Sequence, residues 1–180
     1  MKRKPLLDLL EAYSPSFPEE ILCKTNMLQF IRANKDCFER SLSIGHMTAS
    51  SWLLNQAGTK ALLMHHAKLN LWLQLGGHAD GENDLLAVAI KEAKEESGIR
   101  EIQALSPSIF DIDIHLIPET PKEKAHYHYD VRFLLQLQTD KDPQKNHESK
   151  DLLWISKEPH SLPTQERSVV RMFMKWTSLA

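Results

Sequence analysis

Cysteine is scarce in this chain, with two residues, Cys23 and Cys37, in 180. They show neither metal-type spacing nor a framework of pairs. That excludes a disulfide-stapled scaffold and points to a reducing compartment. Long apolar runs are missing too, since nothing approaches the roughly 20 residues of a membrane span. A net charge of −2 gives no electrostatic case for nucleic acid or an anionic membrane as partner. Internal repeats and low-complexity tracts are absent. The opening Met1-Lys2-Arg3-Lys4-Pro5 is basic, but Asp8 and Glu11 cut the apolar run behind it. That run is too short and interrupted for a signal peptide. The expectation is a cytoplasmic globular protein. A hydrophobic content of 42% is ordinary for one domain of this length with a full core.

Against these absences stands one dense segment, Gly76 to Ile99. Gly76 and Gly77 read as a loop that feeds a helix, since glycine permits backbone paths that bulkier residues resist. Asp84 suits an N-cap, and Leu85 to Ser97 holds no Gly or Pro and favours helix. Gly98 fits the left-handed residue that closes many helices. At about 100° per residue, Leu85, Leu86, Val88, Ala89, Ile90 and Ala93 form one apolar face. Glu92, Glu95 and Glu96 cluster, because positions three and four apart are helix neighbours. Glu92 falls in line with Leu85 and Ala89, at the margin of the buried stripe. A solvated face with a Lys91–Glu95 pair is the plain alternative. Carboxylates crowded at a low-dielectric edge, however, call for a cation or for raised pKa values. Hard oxygen ligands select Mg²⁺ or Mn²⁺, and Mg²⁺ commonly takes substrate phosphate oxygens as further ligands.

Elsewhere the chain divides by period. Residues 1–40 read as a helical extension of the same domain, with a capping box at Ser16 and Glu19 and Pro18 in the first turn. This extension is a candidate pocket wall or homodimer contact. Residues 41–180 carry the rest. Strands are expected at His46–Leu54, Lys60–His66, Leu71–Leu75, Ile109–Ile117, His126–Gln138 and Asp151–Ile155. Leu162 to Glu166 opens a C-terminal helix carrying Val169, Val170, Met172, Phe173 and Trp176.

The segment Gly77 to Ile99 resembles a Nudix box. Gly77 and Gly98 stand at its end glycines, Glu92, Glu95 and Glu96 at its three helix glutamates, and Ile99 at its closing aliphatic. Asn83 stands where the box has its first Glu, with Glu82 beside it. Lys91 replaces the Arg that pairs with that Glu, and Ala93 is a smaller aliphatic. The resemblance implies an α/β fold, an α/β/α sandwich around a mixed sheet. It also implies a Mg²⁺-dependent hydrolase of a small-molecule diphosphate, typically a nucleoside diphosphate derivative. Glu92, Glu95 and Glu96 would ligate the metal, with a backbone contribution from Gly77. Two other readings share the fold. One is a nucleotide-binding or regulatory module that has lost catalysis. The other is an isopentenyl diphosphate isomerase, which needs a strand-side cysteine that this chain lacks.

Further candidates follow from position. The family often uses one more Glu after the box as metal ligand or general base. Glu148 is the favoured position, with Glu119 and Glu123 on another loop, and Glu95 is the candidate within the box. His78 directly follows the glycines and is a candidate substrate contact, with His65 and His66 nearby. His126, His128, Asp130 and Arg132 share one strand face. His128 and Arg132 are candidate contacts to a phosphate or ribose. The plain alternative is a polar face, solvated or paired internally. Asp111, Asp113 and His115 form a similar face and a weaker second-metal candidate.

Overall fold

The computed structural model describes residues 2–121 and 123–179. Its strands are β1 (Gly45–Leu54), β2 (Lys60–His66), β3 (Trp72–Leu73), β4 (Leu75–His78), β5 (Ile102–Ala104), β6 (Asp111–Ile117), β7 (His126–Leu137) and β8 (Ser149–Ser156). All eight join one sheet. The sheet is mixed because β1 and β7 run parallel, from Gly45 opposite Tyr127 to Leu54 opposite Gln136. The remaining ladders are antiparallel: β4 and β2 on β1, β5 and β6 on β7, β3 and β8 on β2.

Helices cover both faces. α1 (Lys4–Ala12), α2 (Pro18–Ala33) and α3 (Leu85–Ser97) lie on one face, and α4 (Arg167–Thr177) on the other. Strand alternation explains the layering. Met47, Ala49 and Leu53 of β1 join Val131, Phe133 and Leu135 of β7 in the larger apolar cluster. Leu6, Leu10, Met27, Phe30 and Ile31 of the N-terminal helices belong to that same cluster. Trp52 and Leu54 point the other way, onto Val169, Met172, Phe173 and Trp176 of α4. Among the described residues, no helix is long and apolar enough to cross a membrane.

Several sequence expectations need correction. The strand expected over Leu71–Leu75 divides at Gln74: β3 stays on β2, while β4 moves to β1 and takes in the glycines. Gly76 and Gly77 are therefore strand residues, not a loop. An added Cβ on Gly76 would lie 2.2 Å from the Ser50 Cβ, so only glycine lets β4 approach β1 this closely. The short β5 has no alternation long enough to reveal it. Phe110 leaves the expected strand face and packs near α4, and Leu116 is exposed. α4 starts at Arg167, after a short 3₁₀ turn at Pro159–Ser161.

The capping box at α2 sits one residue later than expected. Glu20, not Glu19, reaches back, and its carboxylate accepts from the Ser16 and Phe17 amides at 3.0 Å each. Glu20 is fully buried and also pairs with Lys175 of α4 and accepts from Tyr13.

That pair joins a buried charge network on the face of β6 and β7 where Asp111 and Arg132 stand opposite each other. Asp111 is fully buried and accepts from Arg171 at 2.7 and 2.8 Å and from Arg132 at 3.1 Å, with Lys175 at 2.8 Å. Burial opposes ionisation of Asp111. The Arg171 hydrogen bond and the charges of Arg132, Arg171 and Lys175 outweigh it and hold the carboxyl below its ordinary range. Asp111 and Asp113, candidates for a second cation, are thus committed to arginines. Removing one member of a buried network strands its partners' charge. Asp111→Asn should lower unfolding stability by about 3–5 kcal/mol, measured by urea denaturation. A loss below about 1 kcal/mol, the range of exposed pairs, would show that the network contributes little.

Candidate active site

α3 has the bounds expected of it. The Asp84 carboxylate accepts from the Ala87 amide at 3.0 Å, and Gly98 closes the helix at φ 71°. The helix lies against β1 and β4 and so sets its glutamates against the glycine strand. Glu96 is the buried one, at 2% exposure, and accepts from the Gly76 amide at 2.8 Å. Glu92 lies beneath Gly77, where an added Cβ would stand 2.6 Å from the Glu92 carboxylate. Glu95 projects outward.

Glu92, Glu95, Glu96, Gly76, Gly77, His78 and Glu148 line one cavity of about 450 Å³, together with Arg40, His66, Lys68, Asp80 and Lys91. Glu148, far away in sequence, sits in the turn before β8. Its carbonyl accepts from the Ala67 amide at 2.8 Å, which ties that turn to the end of β2. Burial pushes the Glu96 carboxyl up to about 8. The Gly76 amide opposes that shift, and the charges of Glu92, Glu148 and Glu95 add to it.

The box loop is held in an unexpected way. The Glu82 carboxylate accepts from the amides of Asn83 and Asp84, at 2.7 and 2.9 Å. It makes no ion pair with Lys91 among the described residues. Lys91 turns instead to Glu92 at 2.9 Å and Glu95 at 3.7 Å. The loop is anchored from the N-terminal segment: Arg40 pairs with Asp80, and the Gly81 amide donates to the Phe38 carbonyl at 2.9 Å.

A second polar wall adjoins the carboxylates. His78 also lines a cavity of about 180 Å³ with Thr48, Ser50, Gln74, His115, His128 and Asp130, and another of about 220 Å³ with His46 and His126. Asp130 accepts from Thr48 at 2.9 Å, Ser50 at 2.6 Å and Arg132 at 2.7 Å. Burial pushes His46 down to about 4, helped by the charges of His78, His126 and Arg40. Burial lowers His78 and His128 as well. Burial thus favours the neutral form of all three imidazoles.

Over residues 45–177 the sequence matches the family profile described as NUDIX domain. The chain belongs to the Nudix family. Solved structures share the fold. An Ap4A hydrolase from C. elegans in a binary complex is 20% identical, with TM-score 0.57 over 73% of this chain and 94% of its own. A NUDIX-family hydrolase from Clostridium perfringens is 26% identical, with TM-score 0.54 over 73% and 95%. A UDP-X diphosphatase, 13% identical with TM-score 0.53, spans 96% of this chain and 90% of its own. No curated protein matches the chain.

Within this Nudix site, Glu92, Glu95, Glu96, Gly77, His78 and Glu148 meet at one cavity, and His128 lines the next. Arg132 does not reach either. It is 1% exposed, and its guanidinium is taken by Asp111, Asp113 and Asp130. Sequence reasoning missed His46, Arg40 and Thr48. His46 is the cross-strand partner of His128, a pairing visible only once the β1–β7 register is known. Cys37 is fully buried and Cys23 half-buried. Neither lines the carboxylate or histidine cavities, so the isomerase reading has no cysteine to act.

The buried Glu96 carries a pH signature. Its folded pKa is raised above the unfolded value of 4.5 to about 8. The folded state then holds a proton that the unfolded chain has lost, and stability falls as pH rises through that window. Without metal, Glu96→Gln should therefore melt several degrees higher than the parent at pH 8 and alongside it at pH 4.5. Parallel melting curves at both pH values would refute the assignment.

Proposed function

We propose that this Nudix protein hydrolyses a diphosphate linkage in a nucleoside diphosphate derivative or related compound. In this reading Glu92, Glu95, Glu96 and the backbone of Gly77 hold a divalent cation, Mg²⁺ or Mn²⁺. The observation that carries it is the meeting of four glutamates, Glu96 buried among them, on one cavity edged by Arg40, Lys68 and Lys91. The residues fit a hard cation. All the side-chain donors are carboxylate oxygens, and the crowding that raises Glu96 is relieved by positive charge. Once bound, the cation supplies charge neutralisation of the diphosphate and a water of lowered pKa.

The chain's own groups then divide the work. Glu148 faces the glutamates across the cavity and takes the proton of the attacking water, with Glu95 as the box's own candidate for that part. Arg40 and Lys68 meet phosphate charge at the rim. His78 and His128 border the adjoining cavity and contact the rest of the substrate. Arg132 acts behind the wall as a positioning residue, holding Asp130 in place. Solved neighbours named for Ap4A and UDP-X put nucleotide-linked phosphoanhydrides at the head of a substrate panel.

One observation favours a second reading, a Nudix-fold nucleotide-binding or regulatory module. Lys91 sits on Glu92 at 2.9 Å and competes with a cation for that carboxylate. A panel of diphosphate compounds, assayed for phosphate or nucleotide release with Mg²⁺ and Mn²⁺, separates the two. Hydrolysis is expected, falling at least about 100-fold in kcat in Glu96→Gln, the scale of losing a transition-state charge contact. Glu148→Gln should lower kcat with little change in the metal concentration needed. Undiminished activity in Glu96→Gln would sink the glutamate assignment. A thermal shift with nucleotide but no turnover would favour the binding module.

A further inference from the structure

The histidines behind the glycine strand are arranged for more than lining a cavity. His46 on β1 stands opposite His128 on β7 in the parallel ladder, and His128 stands opposite His115 on β6. His78 on β4 pairs with Thr48, two residues along β1 from His46. Three strands thus bring His46, His78 and His128 together, with ring centroids 4.9 to 5.1 Å apart. One nitrogen from each lies within 4.8 Å of the others. Among the described residues, this is the one trio of metal-ligating atoms already gathered to that degree. The glutamates of α3 are not.

A second observation points the same way. His46 is 3% exposed, and neither of its ring nitrogens has a hydrogen-bond partner. A buried polar side chain left wholly unpartnered costs free energy. The rings of His78, His126 and His128 surround it, with centroids 4.9 to 5.1 Å away. The surroundings also orient the rings. The His126 Nδ1 donates to the Lys124 carbonyl at 2.8 Å, so its Nε2 offers a lone pair 3.3 Å from the His128 Nε2. His128 is then the donor in that contact and keeps a lone pair on its other nitrogen. Partners of this kind fix the tautomer of metal-binding histidines.

We propose that His46, His78 and His128 form a binding site for a borderline transition cation of the Zn²⁺ class, next to the carboxylate cavity, which His78 also lines. Three imidazoles suit Zn²⁺ and disfavour Mg²⁺, which takes oxygen ligands. Zn–N bonds of roughly 2.0–2.1 Å place tetrahedral ligand atoms roughly 3.3 Å apart, so the trio has only a short distance to close. Three protein ligands leave a coordination position for an outside oxygen or nitrogen donor. His78 borders both histidine-lined cavities, from which such a donor can arrive. The inference deepens the role given to His78 and His128 above, yet it rests on the histidine geometry and not on the glutamate reading.

The test uses the untagged full chain, loaded with Zn²⁺ and desalted into buffer containing millimolar Mg²⁺. One Zn²⁺ per chain should remain. His78→Asn with His128→Gln should weaken Zn²⁺ binding by at least about 100-fold, beyond the about 10–100-fold that outer partners contribute. The triple Glu92→Gln, Glu95→Gln, Glu96→Gln should keep the Zn²⁺. Retention in the histidine variant, or loss in the glutamate variant alone, would overturn the proposal and locate the ion among the carboxylates. Co²⁺ substitution of the parent protein gives an answer that needs no variant. Intense visible bands of a tetrahedral nitrogen-rich site are expected, and the weak spectrum of an octahedral oxygen site would overturn it.

Discussion

The parallel pairing of β1 with β7 is the constraint on which the rest of the molecule depends. Strand side chains alternate between faces, so register alone decides which residues meet. Here it sets His46 beside His128, Thr48 beside Asp130 and Ser50 beside Arg132. The same strands turn Met47, Ala49, Val131 and Phe133 to the opposite face, under α1, α2 and α3. A slip of one residue would bury the histidines in the apolar core and expose the valines. The apolar set on one face thus enforces the polar set on the other. β1 also carries β4 and, through it, the glycines that admit α3 and its glutamates.

A sheet face this polar needs internal partners, and the chain supplies them in layers. Nearest α4, Trp52 and Leu54 are covered by apolar residues. Next, Asp111, Asp130 and Arg132 neutralise one another with Arg171 and Lys175. Beyond them lie the histidines and then the cavities. Lys175 and Glu20 extend the charge network to the N-terminal helices, so the first residues of the chain help to hold the floor of the site.

The legible parts of the sequence were those set by local rules. α3 could be placed from its cap, its apolar stripe and its closing glycine, each a relation within a few residues. The Lys60–His66 strand likewise followed from its short apolar run. The box glutamates followed from helical spacing, His78 from its place after the glycines, and Gly77 and Glu148 from the resemblance to the family; the structure brings all six to one cavity. Long-range terms escaped. Arg132 was read as a substrate contact because alternation gives the face and not what covers it. α4 covers that face with Arg171 and Lys175. The capping glutamate of α2 lay one residue from its expected place, because Pro18 fixes where the helix begins. Glycines read as a loop became a strand because a neighbouring strand came close, which no local pattern records.

The Arg40–Asp80 clamp moves a support of the box loop outside the box. In the family pattern, a Glu and an Arg, both inside the box, hold the loop to the helix. Here Asn83 breaks that pair, Lys91 is drawn onto Glu92, and the hold passes to a residue that precedes β1. The residues matched by the family profile begin at 45, after Arg40. The box loop is therefore held by a residue outside the matched range. A chain beginning at residue 45 would keep every box residue and lose this hold on their loop.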